Sequence, residues 1–138
     1  MPIVPLLTDD QAPAAARAVF EDIRRTRNTD HVNNFWRALA NDPALLESTW
    51  SQVKRVMAPG ALDPLVKELV YVAVSAANNC EYCLYTHTHS ARAKGMTEAM
   101  YAELLQVIAL ASTTNRLAIA LQVPVDARYR EPPAATPA

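Results

Sequence analysis

The stretch DPLVKELVYVAVSAANNCEYCLYTHTHSARAKGMT, residues 63–97, carries the reading of both fold and chemistry. Asp63-Pro64 sets a side chain able to cap a helix before a proline suited to its first position. From Leu65 to Ala77 nearly every residue is apolar, which predicts a helix buried over most of its circumference. Asn78-Asn79 interrupts it. A further helix is expected over about 80–94, ended by Gly95, a residue favoured just past a helix C-terminus.

The same punctuation recurs outward. Pro2 and Pro5 bias residues 1–7 toward extended backbone. A helix over 10–27 is supported by Ala14, Ala18, Phe20 and Ile23, and Asn28-Thr29-Asp30 breaks it. A second, over 31–41, carries Val32, Phe35, Trp36 and Leu39. Asp42-Pro43 opens a third that reaches about 57, with Leu45, Leu46, Trp50, Val53 and Met57 inward, and Pro59-Gly60 closes it. After Gly95, Thr97 caps a last helix toward Leu121, with a break expected near Ser112-Thr113-Thr114, residues of weak helix propensity. Residues 128–138 hold Pro132, Pro133 and Pro137 without a core pattern and read as a disordered tail. The chain has only two glycines, on which the favoured hairpin turns depend. The expectation is an all-α fold of about six helices in one domain over 1–127, with the redox core at 63–97.

Composition narrows the function classes. At 138 residues the chain has the length of one ordinary domain, and its 51% hydrophobic content suffices for a core. Thirteen basic against fourteen acidic side chains give a net charge of −1, so nothing draws it to nucleic acid or an anionic membrane. No apolar run approaches the roughly 20 residues that span a bilayer. The N-terminus lacks the basic and hydrophobic regions of a secretion signal. A cytoplasmic location is the expectation. Two cysteines in a reducing compartment favour catalysis or metal binding over a structural staple.

Cys80-Glu81-Tyr82-Cys83 is a C-x-x-C, and His87 follows four residues later. At about 100° per residue, Cys80, Cys83 and His87 share an arc of roughly 60° on one helix face. The thiols, one turn apart, can form a disulfide if the first sits at the helix start. There, unpaired N–H groups and the helix dipole favour a thiolate, the nucleophilic form of sulfur. His87 lies within reach of the Cys83 proton. Glu68 is the second oddity: it interrupts a core stripe of Leu65, Leu69, Val72 and Ala76. A buried carboxylate is costly unless paired, and an imidazole on the next helix is the natural partner. Such a pair would orient the ring and raise its basicity.

Glu68, Cys80, Cys83 and His87 together match Glu-x(11)-Cys-x-x-Cys-x-x-x-His, and in this the chain resembles the AhpD-like alkylhydroperoxidases of the carboxymuconolactone decarboxylase superfamily. Lys67-Glu68-Leu69-Val70, Ser75-Ala76-Ala77 and Ala93-Lys94-Gly95-Met96-Thr97 extend the likeness, which is strong over 65–97 and weaker toward Asn115-Arg116-Leu117. The resemblance implies a helical bundle completed by packing between copies, as trimers or hexamers. It also implies a dithiol cycle with no bound metal or cofactor, acting on an alkyl hydroperoxide or a disulfide. Carried over, Cys83 attacks peroxide, Cys80 resolves the sulfenic acid, and Glu68 and His87 relay the proton. The dipole argument by itself favours Cys80 as the more activated thiol. The reductant by resemblance is a lipoylated or thioredoxin-like thiol protein. The peroxidase branch has a histidine where this chain has Tyr82, which does not titrate near neutrality.

Competing readings exist for each residue. Two buried cysteines are a common structural outcome. A zinc site would need His89 beside Cys80, Cys83 and His87, yet His89 projects about 180° from Cys80 on a continuous helix. His31 reads as a loop or cap residue, and Trp36, Trp50, Tyr71 and Tyr101 as packing. At the level of the whole chain, one rival is a lactone-acid lyase of the decarboxylase type, using histidine acid–base chemistry. The other is a non-catalytic, redox-sensing helical oligomer.

Overall fold

The computed structural model describes residues 1–130, and all regular structure among them is helical. The elements are α1 (Ala14–Arg27), α2 (Asn34–Leu39), α3 (Pro43–Met57), α4 (Pro64–Ala77), α5 (Glu81–Ala93) and α6 (Glu98–Ala120), followed by a 3-10 turn at Ala127–Tyr129. This is the expected all-α architecture with six α-helices. The chain forms two compact units, residues 1–60 and the segment from Ala61 onward. No helix among the described residues is long and apolar enough to cross a membrane.

In the first unit, α1 and α2 each pack on α3. Ala16, Val19, Phe20 and Ile23 recur at helical spacing on α1 and are buried with Val32, Trp36, Leu46 and Trp50. The indoles of Trp36 and Trp50 meet edge to face at 5.4 Å. Leu45, expected inward, is exposed, as are Ala14, Ala18 and Phe35 of the helical patterns. Helix α1 begins four residues later than expected. Pro13 occupies its N-cap with extended backbone (φ −57°, ψ 154°), and a proline turns its predecessor away from helical geometry. Residues 8–12 instead make a turn in which the Ala12 N–H donates to the Thr8 carbonyl at 2.9 Å. Helix α2 is likewise shorter than the expected 31–41, starting only after Asn33, whose backbone is extended.

In the second unit, α4 packs chiefly on α5 and also on α6. The Asp63 carboxylate accepts from the Leu65 N–H at 2.8 Å, and Pro64 fills the first turn. The expected near-complete burial of α4 does not occur within one chain. Glu68, Val72 and Ser75 are buried, whereas Val66, Val70 and Val74 are exposed, because α5 and α6 cover only part of the circumference. Helix α6 runs unbroken through Ser112-Thr113-Thr114, contrary to expectation. The Thr113 and Thr114 hydroxyls donate back to the Ala109 and Leu110 carbonyls at 3.0 and 3.1 Å, so their polar groups are satisfied without leaving the helix. None of its residues is buried, and Leu105, Val107, Leu110, Leu117 and Ile119 are exposed. Of the expected tail, Arg128 and Tyr129 lie in the 3-10 turn, and residues 131–138 lie outside the described residues.

Candidate functional site

The site forms where α4 hands over to α5. Asn79 adopts the left-handed region (φ 54°), which asparagine tolerates better than most residues. The chain thereby reverses tightly, and the Cys80 N–H donates to the Ser75 carbonyl at 3.0 Å. Cys80 is the N-cap of α5, and its sulfur accepts from the Cys83 N–H at 3.3 Å. The two cysteines are joined as a disulfide, with Cα atoms 5.3 Å apart. Both are half-buried, and Tyr82 and Tyr85 beside them are exposed. A sulfur in this position faces the positive end of the helix, where a thiolate is favoured.

One turn beyond Cys83, His87 Nδ1 lies 2.8 Å from Glu68 Oε2. The other carboxylate oxygen, Oε1, accepts from Lys94 Nζ at 2.9 Å. Tyr71 stacks on the imidazole with ring centroids 3.5 Å apart and planes inclined by 16°. Glu68 is only 4% exposed. Burial pushes its carboxyl up, but the hydrogen bonds from His87 and Lys94, with their charges, outweigh burial and hold it below its ordinary value. A charged Glu68 accepts from Nδ1–H, so that in the neutral form of the ring Nε2 is the nitrogen left to accept a proton. The arrangement is therefore a dithiol at the start of α5 and, lower on that helix, an imidazole held by a buried carboxylate.

The structure brings together the residues singled out from sequence in two pairs, Cys80 with Cys83 and Glu68 with His87. His89 and His31 are exposed. Among the described residues no three His, Cys, Asp or Glu side chains are grouped as metal ligands. Two neighbours of the site escaped sequence reasoning. Lys94 follows His87 by seven residues, which returns it to the same helical face, and Tyr71 follows Glu68 by three. Each spacing is visible in the sequence. Yet an exposed-type lysine at a helix end and an aromatic in an apolar helix have commoner explanations.

The model of the Carboxymuconolactone decarboxylase family matches residues 43–126. A crystal structure described as an alkylhydroperoxidase AhpD core from Rhodospirillum rubrum superposes with a TM-score of 0.92 at 55% identity, covering 96% of this chain and 99% of that one. Alkyl hydroperoxide reductase AhpD of Solibacter usitatus is 39% identical over 72 residues, 52% of this chain and 39% of that protein. A protein of Paracoccus denitrificans named uncharacterized protein 4 in cox locus is 39% identical over 56 residues, 41% of this chain and 50% of that protein. The chain thus spans half or less of these two curated relatives.

Proposed function

Because the chain belongs to the carboxymuconolactone decarboxylase family and has the fold of an AhpD core, we propose that it is a dithiol oxidoreductase that reduces alkyl hydroperoxides. The observation that carries this reading is the hydrogen bond between Glu68 of α4 and His87, which lies on the helix that begins at the Cys80–Cys83 pair. In the reduced protein, His87 Nε2 takes the Cys83 proton and the thiolate attacks the outer peroxide oxygen. The O–O bond breaks, and the alkoxide leaves as an alcohol with the proton returned by His87. Cys83 is left as a sulfenic acid. Cys80 then attacks that sulfur, water departs, and the disulfide forms. Two electrons have passed from the dithiol to the peroxide. Glu68 orients the ring and stabilises its charged form during the transfer.

A thiol protein, lipoylated or thioredoxin-like, returns the disulfide to the dithiol by exchange, as a reducing cytoplasm allows. The exposed apolar side chains of α4 and α6 support assembly into a homo-oligomer, a trimer or hexamer, that covers them. The rival lyase reading gives the paired cysteines no task. The test is a thiol count during peroxide titration of the reduced wild type, Cys80→Ser and Cys83→Ser. The wild type should lose two thiols per peroxide, and Cys80→Ser should lose one. Stoichiometric consumption by Cys83→Ser but not by Cys80→Ser would reverse the two roles. No thiol loss in the wild type would end the redox reading.

A further inference from the structure

We infer that Lys94 is a positioning residue of the site, holding the Glu68 carboxylate charged and turned so that its second oxygen serves His87. The inference rests on the relay reading of Glu68 and His87 given above. Both carboxylate oxygens are engaged, Oε2 by His87 at 2.8 Å and Oε1 by Lys94 at 2.9 Å. Lys94 is itself anchored. It is the C-cap of α5, with its N–H bonded to the Ser90 and Ala91 carbonyls, and Gly95 turns the chain away at φ +99°.

Other titratable groups surround this carboxylate. On α4 its neighbours are Lys67 and Tyr71, and Tyr71 stacks on His87. On α5 the titratable groups beside His87 are the Cys80 and Cys83 thiols of the reduced protein, the exposed Glu81, Tyr82, Tyr85 and His89, and Arg92, which pairs with Glu98 of α6 at 2.9 Å. Tyr101 of α6 lies under that same guanidinium, and Glu103 and Arg116 stand further along α6. Lys94 Nζ is an ammonium bonded directly to Glu68.

The chemical consequence concerns the tautomer of His87. A buried carboxyl without a cationic partner favours its neutral form. A neutral Glu68 would donate its O–H to Nδ1, and the ring proton would move to Nε2. The outward nitrogen would then be a donor and could not accept a thiol proton. Lys94 opposes this by stabilising, together with His87, the carboxylate that accepts from Nδ1. It need not touch substrate to do so.

The experiment follows Glu68 protonation in the full-length protein by its carboxylic C=O infrared band, assigned by its loss in Glu68→Gln. Lys94→Gln and Lys94→Met, which keeps the aliphatic stem, should raise the proton affinity of Glu68 at least about tenfold, roughly one pH unit. Lys94→Arg should restore most of the wild-type behaviour. Titrations of both neutral variants that superimpose on the wild type would overturn the inference. A shifted titration in a protein whose wild type consumes no peroxide would support the role of Lys94 and defeat the peroxidase reading alone.

Discussion

Replacing Tyr71 by leucine should slow the chemistry of the site at a modest cost to the fold. The bond from Nδ1 to Glu68 fixes one edge of the His87 ring but leaves rotation about that bond free. The Tyr71 face, 3.5 Å from the imidazole and nearly parallel to it, removes that freedom and so aims Nε2. An aromatic pair contributes about 0.5–1.5 kcal/mol beyond its buried area. If that contribution is lost from the reactive geometry, the rate falls roughly two- to twelve-fold. Tyr71 is 39% exposed, so the cost to stability should stay within about 1.5 kcal/mol. The assay is single-turnover peroxide consumption by the reduced protein, with urea unfolding of the same samples. Tyr71→Phe keeps the ring and should retain the wild-type rate. A leucine variant as fast as wild type would refute the orienting role. A phenylalanine variant as slow as leucine would show that the hydroxyl acts, not the stack.

Stability should fall in acid with a contribution from Glu68. Its folded pKa lies below the ordinary value, so this contribution is complete above the unfolded-state pKa and is lost as pH drops through the folded one. Glu68→Gln should therefore show a shallower decline of stability below the ordinary carboxylate range, and parallel curves would contradict the linkage. Gly95→Ala should cost about 1–2 kcal/mol through backbone strain alone, since an added Cβ meets nothing within 4 Å; an unchanged urea midpoint would refute this. Ile23→Ala, at a fully buried core position, should cost about 2–5 kcal/mol. A loss under about 1 kcal/mol would mean that the site collapses to fill the space.

Helix starts were legible wherever a side-chain cap and a proline coincided, as at Asp42-Pro43 and Asp63-Pro64, because both devices act within one turn. Pro13 misled for a related reason. It stands outside the helix as its N-cap, so the start expected at residue 10 fell four residues early. The break expected at Ser112-Thr113-Thr114 failed because propensity counts the competition between hydroxyl and backbone, whereas these hydroxyls bond to carbonyls of the helix itself. Glu68 was legible as an acid on an apolar stripe that required a partner. The chemistry of imidazole pointed to a histidine on the next helix, and the motif spacing and the family resemblance it carries singled out His87. Lys94 and Tyr71 gain their places only when α4 packs on α5, a tertiary event with no local signal. The apolar composition of α4 reported faces in need of cover without reporting that one chain leaves Val66, Val70 and Val74 uncovered.

The absence of any buried residue along the 23 positions of α6 bears on how firmly its backbone amides are protected. Amides in core helices exchange with solvent at a rate set by global unfolding, whereas helices with few buried contacts open locally at small free-energy cost. In a dilute single chain, the amides of α6 should therefore exchange with deuterium faster than those around Val72 in α4. As concentration rises, slowing of that exchange would map, residue by residue, whatever surface comes to lie against the exposed row from Leu105 to Ile119.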